Sequence, residues 1–167
     1  GVKVLSYCVM SNHFHILVKV PPECEREIGS EEILERMSGV YSEAFVADTA
    51  RKLKKHEKNH ATKASRLMRE KFTDRMCDLS EFMKMLKWRF SCWFNKTHGR
   101  VGTLWESRFK SVLVEDGVAA RTMSAYIDLN PVRAGMVRDP KDYRWCSYAE
   151  AVAGSEQANT GIAEVMA

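Results

Sequence analysis

The first twenty residues alternate in the manner of two strands. Val2, Val4, Leu5, Tyr7, Cys8 and Val9 form one β-rich run, and Phe14 to Val20 forms a second. Ser11-Asn12 between them predicts a two-residue hairpin turn. Strand side chains point alternately to opposite faces, so the second run has two distinct sides. Phe14, Ile16, Val18 and Val20 share the side expected to face the core. His13, His15, Leu17 and Lys19 share the side expected to lie open. Pro21-Pro22 ends the run, because proline cannot donate to a ladder.

The period then changes from two to three and four. Ser30 before Glu31 and Glu32 predicts an N-cap with an acidic first turn, and Ile33, Leu34, Met37, Val40 and Tyr41 continue at helical spacing. A second helical stretch runs through Ala44, Phe45 and Ala50. Asp78 or Ser80 can cap a helix over 80–97, whose stripe of Phe82, Met85, Leu86, Phe90, Trp93 and Phe94 reads as core. His98, Gly99 and Gly102 break it. Arg108 to Val114 reads as a strand, and Glu115-Asp116-Gly117 as a turn. Val118 to Leu129 is the next predicted helix, with Ala119, Ala120, Met123 and Ile127 along its apolar side. Asn130 is expected to cap a short further turn that Pro131 opens and Gly135 closes. Asp142 to Val152 reads as one amphipathic segment with Tyr143, Trp145 and Tyr148. Residues 154–167 are small and polar and are expected to fray. Strand, strand, helices, strand, helix is the order of an α+β domain with an antiparallel sheet.

Composition narrows this picture. At 167 residues, 45% hydrophobic and 29% charged, the chain reads as one globular domain able to bury a core. It is expected to span 1–153, with a helical insertion at 21–78. No apolar run approaches membrane-spanning length, so a cytoplasmic protein without a membrane partner is expected. Cys8, Cys24, Cys77, Cys92 and Cys146 are odd in number and show no C-x-x-C spacing. Reduced thiols fit that pattern better than a zinc ribbon or a disulfide framework. The chain opens on Gly1 with strand-like sequence already under way, so a chain that begins inside a domain is expected. The net charge of +4 is a mild basic bias, compatible with a polyanion partner. It concentrates between Arg51 and Lys71, where nine Lys or Arg residues meet two Glu. That stretch fits a solvated helix face, a mobile loop or a phosphate-binding surface.

Two pairs of residues can carry chemistry. His13 and His15 lie at i and i+2 on a strand, so both imidazoles point the same way, about 7 Å apart at the backbone. One divalent ion can bridge such a pair, and imidazole with oxygen co-ligands suits Mn²⁺ or Mg²⁺. Two surface histidines fit the same spacing. Tyr126 and Asn130 lie at i and i+4 and share a helix face. A phenol can attack phosphorus and hold a 5′-phosphate as an ester, which divides cleavage and rejoining into two transfers. Asn130 can supply a neutral oxygen ligand from one turn away. A packed tyrosine and a capping asparagine fit that spacing equally.

The wider sequence separates these readings. Tyr7-Cys8-Val9-Met10-Ser11-Asn12-His13-Phe14-His15-Ile16-Leu17-Val18 closely resembles the HUH motif strand of the IS200/IS605-like tyrosine transposases, in particular their REP-associated branch. Tyr126-Ile127-Asp128-Leu129-Asn130-Pro131-Val132-Arg133-Ala134-Gly135 resembles that family's catalytic-tyrosine segment. Residues 102–111 and 143–148 resemble it as well, in the family's order. The resemblance implies His13 and His15 as the metal-binding pair, Tyr126 as the single nucleophile and Asn130 in the third ligand position. It implies a ferredoxin-like, RRM-like antiparallel sheet flanked by helices. The family's first strand is expected to be missing, because Val2 already stands where its next strand begins. It also implies a divalent cofactor, Mg²⁺ or Mn²⁺, and single-stranded DNA that folds as hairpins.

Lys and Arg would track the phosphates of such DNA, and aromatic side chains would stack on its unpaired bases. Lys52, Lys54, Lys55, Lys58, Arg100, Arg108 and Lys110 are the candidate contacts. The alternative to an enzyme is an inactive or domesticated hairpin-DNA-binding module. An RRM-like RNA binder would want paired aromatics where His13 and His15 stand. Both a monomer and a homodimer with the tyrosine acting across subunits fit the sequence.

Overall fold

The computed structural model describes residues 1–21, 28–59 and 62–167, and only the backbone of Thr62. Pro22 and Cys24 lie outside the described residues. Two strands, β1 (Lys3–Val9) and β2 (Phe14–Lys19), pair antiparallel, and eight helices follow among the described residues. The chain is thus α+β. It divides into two compact units, one of Gly1–Val2 with Val20–Ser107, the other of Lys3–Lys19 with Arg108–Ala167. None of the described helices is long and apolar enough to cross a membrane.

The first unit is helical. It comprises α1 (Ser30–Ser38), α2 (Glu43–Lys58), α3 (Thr62–Met76) and α4 (Leu79–Thr97). Gly29, not Ser30, holds the N-cap position of α1, and the Ser30 hydroxyl instead donates to Glu57 at 2.7 Å. Ile33 and Met37 sit one turn apart on α1 and are fully buried with Ile28 and Phe72. Each such side chain contributes ~1.5–3 kcal/mol by leaving water. Asp78 caps α4 as the sequence predicts, accepting from the Ser80 and Glu81 N–H groups. The α4 stripe behaves otherwise. Met83, outside that stripe, is the one buried residue of α4, while Leu86, Phe90 and Trp93 of the stripe stay exposed. Periodicity marks an apolar face but does not supply a partner to cover it. Trp105 covers part of the face, its indole N–H directed to the Lys87 carbonyl and the Ser91 hydroxyl.

The second unit carries the sheet, α5 (Val118–Asp128), α6 (Asn130–Arg133), a 3-10 turn (Pro140–Asp142), α7 (Ser147–Val152) and α8 (Glu156–Met166). The hairpin closes over Ser11-Asn12, with the Met10 N–H donating to the His13 carbonyl at 2.8 Å. The pairing slips by one residue between Val4 and Ser6, leaving Leu5 as a bulge. Beyond it, Ser6 pairs with Leu17 and Cys8 with His15, so these four share one face. That face is the covered one. Cys8 and Leu17 pack with Ala120, Ile127, Cys146, Ala149 and Val165. Leu17 on the histidine side is buried, whereas Phe14, Ile16 and Val18 are only partly so, contrary to the expected core side; His13, just before β2, is exposed as expected. Alternation defines two sides of a strand, and the helix that follows decides which becomes the interior.

Three further expectations change. Arg108–Val114 is not a strand: no regular element covers it, and Val112 and Leu113 are exposed. A β-rich sequence becomes a strand only where a neighbour offers a ladder. The outer edge of β1 is already met by the Trp145 carbonyl, which accepts from the Val9 N–H, and by Cys146 opposite Cys8. Asp142–Val152 is not one segment but the end of the 3-10 turn followed by α7, which Cys146 caps. The tail does not fray. Ser155 caps α8 through the Ala158 N–H, and Ala158, Gly161 and Val165 are buried at helical spacing. Lys3 and Lys19 both reach Glu164 on the same helix, at 3.4 and 3.1 Å.

This packing sorts the thiols. Cys8 and Cys146 are wholly buried, and desolvation, reinforced by each other's proximity, pushes the Cys8 thiol up to about 11. Cys92 is exposed. A thiol reacts as thiolate, so under native conditions Cys92 is expected to be alkylated faster than Cys8 and Cys146. Cys8 and Cys146 should be labelled only with global unfolding. Peptide mapping of alkylated protein checks this, and early labelling of Cys8 would contradict the packed hairpin.

Candidate active site

Histidines and tyrosine meet in the second unit. Antiparallel pairing places His15 opposite Cys8 on the covered side of the sheet, and α5 packs over that side through Ala120 and Ile127. Tyr126, next to Ile127, is thereby carried to the rim of the interface. Its ring lies 6.0 Å from the His15 ring, edge to face at 80°, and it remains 40% exposed. The His13 and His15 rings are 5.0 Å apart and nearly perpendicular. The loss of water around the half-buried His15, and then the proximity of His13, lower its proton affinity below the ordinary imidazole value. His15 therefore stays neutral at pH 7, the form that donates a lone pair to a metal.

Asn130 opens α6 one turn beyond Tyr126. Leu129 between them keeps right-handed helical angles, and its N–H still donates to the Ala125 carbonyl. Tyr126 and Asn130, expected on one helix, thus fall on two, with Tyr126 near the end of α5 and Asn130 opening α6. Leu129, not Asn130, takes the N-cap position, so the Asn130 side chain does no capping. Its amide nitrogen is buried without a hydrogen-bond partner. A buried unpaired amide costs about 1–3 kcal/mol, and sites that retain one call for an explanation. Half a turn about the last side-chain bond exchanges the amide N and O, placing a neutral oxygen ligand at the unpaired position. Two imidazoles and an amide oxygen, if brought to one ion, would suit Mn²⁺ or Mg²⁺. Gly135 at φ 69 closes α6, with the Met136 N–H donating to Pro131 and the Gly135 N–H to Val132.

Two neighbours of the site carry no mark in the spacing that singled out the others. His13 Nδ1 lies 2.7 Å from the Asn12 side-chain amide, and that contact orients the ring. An asparagine directly before the first histidine is the signal that could have found it. Arg133 lies over the Tyr126 ring, its guanidinium carbon 4.9 Å from the ring centre. Its position at i+7 from Tyr126 is the corresponding signal.

Below the tyrosine helix lies a buried polar knot. The Ser147 hydroxyl lies 3.0 Å from Asp128 Oδ1 and receives the Tyr7 N–H at 2.9 Å. Burial raises the Asp128 carboxyl above its usual range, although Ser147, the Tyr148 backbone and Ser6 oppose the shift. The knot ties α5, β1 and the start of α7 together directly beside the site.

The expected DNA contacts are divided. Lys52, Lys54, Lys55 and Lys58 fall on α2 of the helical unit, where Lys52 pairs with Asp48 at 2.7 Å. Arg100 belongs to the same unit and lies over the Phe94 ring. Arg108 and Lys110 belong to the second unit, in its irregular segment before α5. No family model, curated protein or solved structure matches this chain.

Proposed function

We propose that this chain is a metal-dependent enzyme that nicks single-stranded DNA and transfers the strand through a covalent 5′-phosphotyrosine on Tyr126. The strongest support is the meeting of Tyr126 and His15 within one chain, rings 6.0 Å apart. In this reading β1 and β2 belong to a ferredoxin-like, RRM-like sheet of the REP-associated tyrosine transposase type, and the site is self-contained in a monomer. His13, His15 and Asn130 would hold Mg²⁺ or Mn²⁺, which when bound polarises the scissile phosphate and offsets its developing charge.

Tyr126 gives its proton to water, and its phenolic oxygen attacks phosphorus. A bond forms between that oxygen and phosphorus while the bond from phosphorus to the 3′ oxygen breaks. The 3′ oxygen leaves and takes up a proton. The 5′ phosphate stays on Tyr126 as an ester. A 3′-hydroxyl of a second end then attacks the same phosphorus, and the tyrosine oxygen leaves. Bond energy is conserved in the ester, so no nucleotide cofactor is required. His15, whose lowered proton affinity favours the neutral ring, and His13, oriented by its contact with Asn12, would be the imidazole ligands. The substrate is single-stranded DNA at the foot of hairpin-forming palindromes, with the basic side chains on phosphates.

The test uses oligonucleotides that fold as hairpins with randomised single-stranded feet. With Mn²⁺ or Mg²⁺ a protein–DNA adduct that survives detergent is expected, and with chelator none. Hairpin binding without any adduct would reject the enzyme and leave the hairpin-binding module.

A further inference from the structure

We propose that Arg133 is a catalytic residue of strand transfer, its guanidinium taking the non-bridging oxygens of the scissile phosphate beside Tyr126. The proposal rests on the nicking reading above.

Tyr126 lies near the end of α5, and Asn130 and Arg133 open and close α6, with Leu129 in right-handed helical angles between the two helices. Arg133 is exposed, and its guanidinium carbon sits 4.9 Å from the centre of the Tyr126 ring. His15 meets the same ring at 6.0 Å and 80°. Phosphorus must come within ~3–3.5 Å of the phenolic oxygen for attack. Its non-bridging oxygens then fall within reach of the arginine N–H groups.

The partners of Arg133 point the same way. Arg133 forms no ion pair with a carboxylate among the described residues. Arg100 and Arg144 likewise lie over rings, those of Phe94 and Trp145, but only Arg133 does so over the proposed nucleophile. Its guanidinium carbon lies over the ring, and no hydrogen bond or ion pair among the described residues engages its fork of N–H donors, which is open to an anion. A planar fork matches two phosphate oxygens, which lysine cannot do. Charge on those oxygens grows as the tyrosine oxygen arrives, so a fixed cation there stabilises the transition state more than the ground state.

The test follows adduct formation on a hairpin oligonucleotide that the unmodified protein nicks. Arg133→Ala is expected to slow it by about a hundredfold or more, and Arg133→Lys by less. Guanidinium ion at millimolar concentration should restore several-fold of the rate to the alanine variant and none to the lysine variant. Replacing one non-bridging oxygen of the scissile phosphate by sulfur should slow the unmodified protein more than Arg133→Ala, because only the former loses a contact. Normal rates in Arg133→Ala, or equal sulfur effects in the two proteins, would overturn the assignment and leave the nicking reading standing. Absence of any adduct from the unmodified protein would overturn both.

Discussion

Phenylalanine at position 126 is expected to eliminate the covalent protein–DNA adduct while leaving hairpin binding within about twofold. The expectation follows from what the substitution removes. Only the phenolic oxygen goes, and the ring contacts with His15 and Arg133 remain possible. That oxygen makes no hydrogen bond to a described residue, and the ring is 40% exposed. The fold therefore loses little, within the ±0.5 kcal/mol usual for surface changes. Chemistry loses everything that depends on an attacking oxygen. Removing the nucleophile of a covalent enzyme costs on the order of 10⁶ in rate, about 8 kcal/mol of barrier. Thermal unfolding and hairpin affinity serve as controls on the same preparation. An adduct of normal yield from Tyr126→Phe would reject Tyr126 as nucleophile, whatever else the site does.

The parts of the site that the sequence revealed are those governed by short-range geometry. His13 and His15 share a strand face because a strand repeats every two residues, and Tyr126 and Asn130 share a helix face because a helix returns after four. In the structure the His13 and His15 rings do meet, 5.0 Å apart, although His13 stands just before β2, while Tyr126 and Asn130 fall on successive helices. What local geometry cannot supply is the identity of the partner. Phe14 and Leu17 are equally apolar and lie on opposite sides of β2, and only the packing of α5 buries Leu17. Val112 and Leu113 have strand-forming side chains, yet the β1 edge is already occupied by Trp145 and Cys146. Arg133 was masked differently. A lone arginine near a helix end is usually a solvated charge, and only the position of the Tyr126 ring beneath it distinguishes this one. The Leu5 bulge left a trace in the pattern of β1, where Val4-Leu5 and Tyr7-Cys8-Val9 break strict alternation.

Beside that bulge, α8 leaves no room for one added methyl group. Gly161→Ala is expected to destabilise the protein, although alanine is the better helix former. Gly161 lies directly on the Leu5 backbone. A Cβ there would press into the Leu5 carbonyl oxygen, with the carbonyl carbon 3.1 Å and the Cα 3.2 Å away. Backbone cannot rotate aside as a side chain can, so α8 or β1 must move. Overpacking of this kind typically costs ~1–3 kcal/mol. Helix propensity returns up to ~1 kcal/mol on exchanging glycine for alanine. With a rigid obstacle the steric cost is at the upper end of its range and wins by about 2 kcal/mol, which lowers Tm by roughly 4–8 °C for a chain of this size. Ala163, exposed on the same helix, provides the opposite control. Ala163→Gly should cost ~1 kcal/mol through propensity alone. If α8 were the frayed tail that its composition suggests, both signs would change: Gly161→Ala would be neutral or stabilising, and Ala163→Gly silent. Thermal unfolding of the two variants thus decides whether α8 is docked. The answer bears on the site as well, because the Leu5 backbone beneath α8 belongs to the strand that pairs with His15.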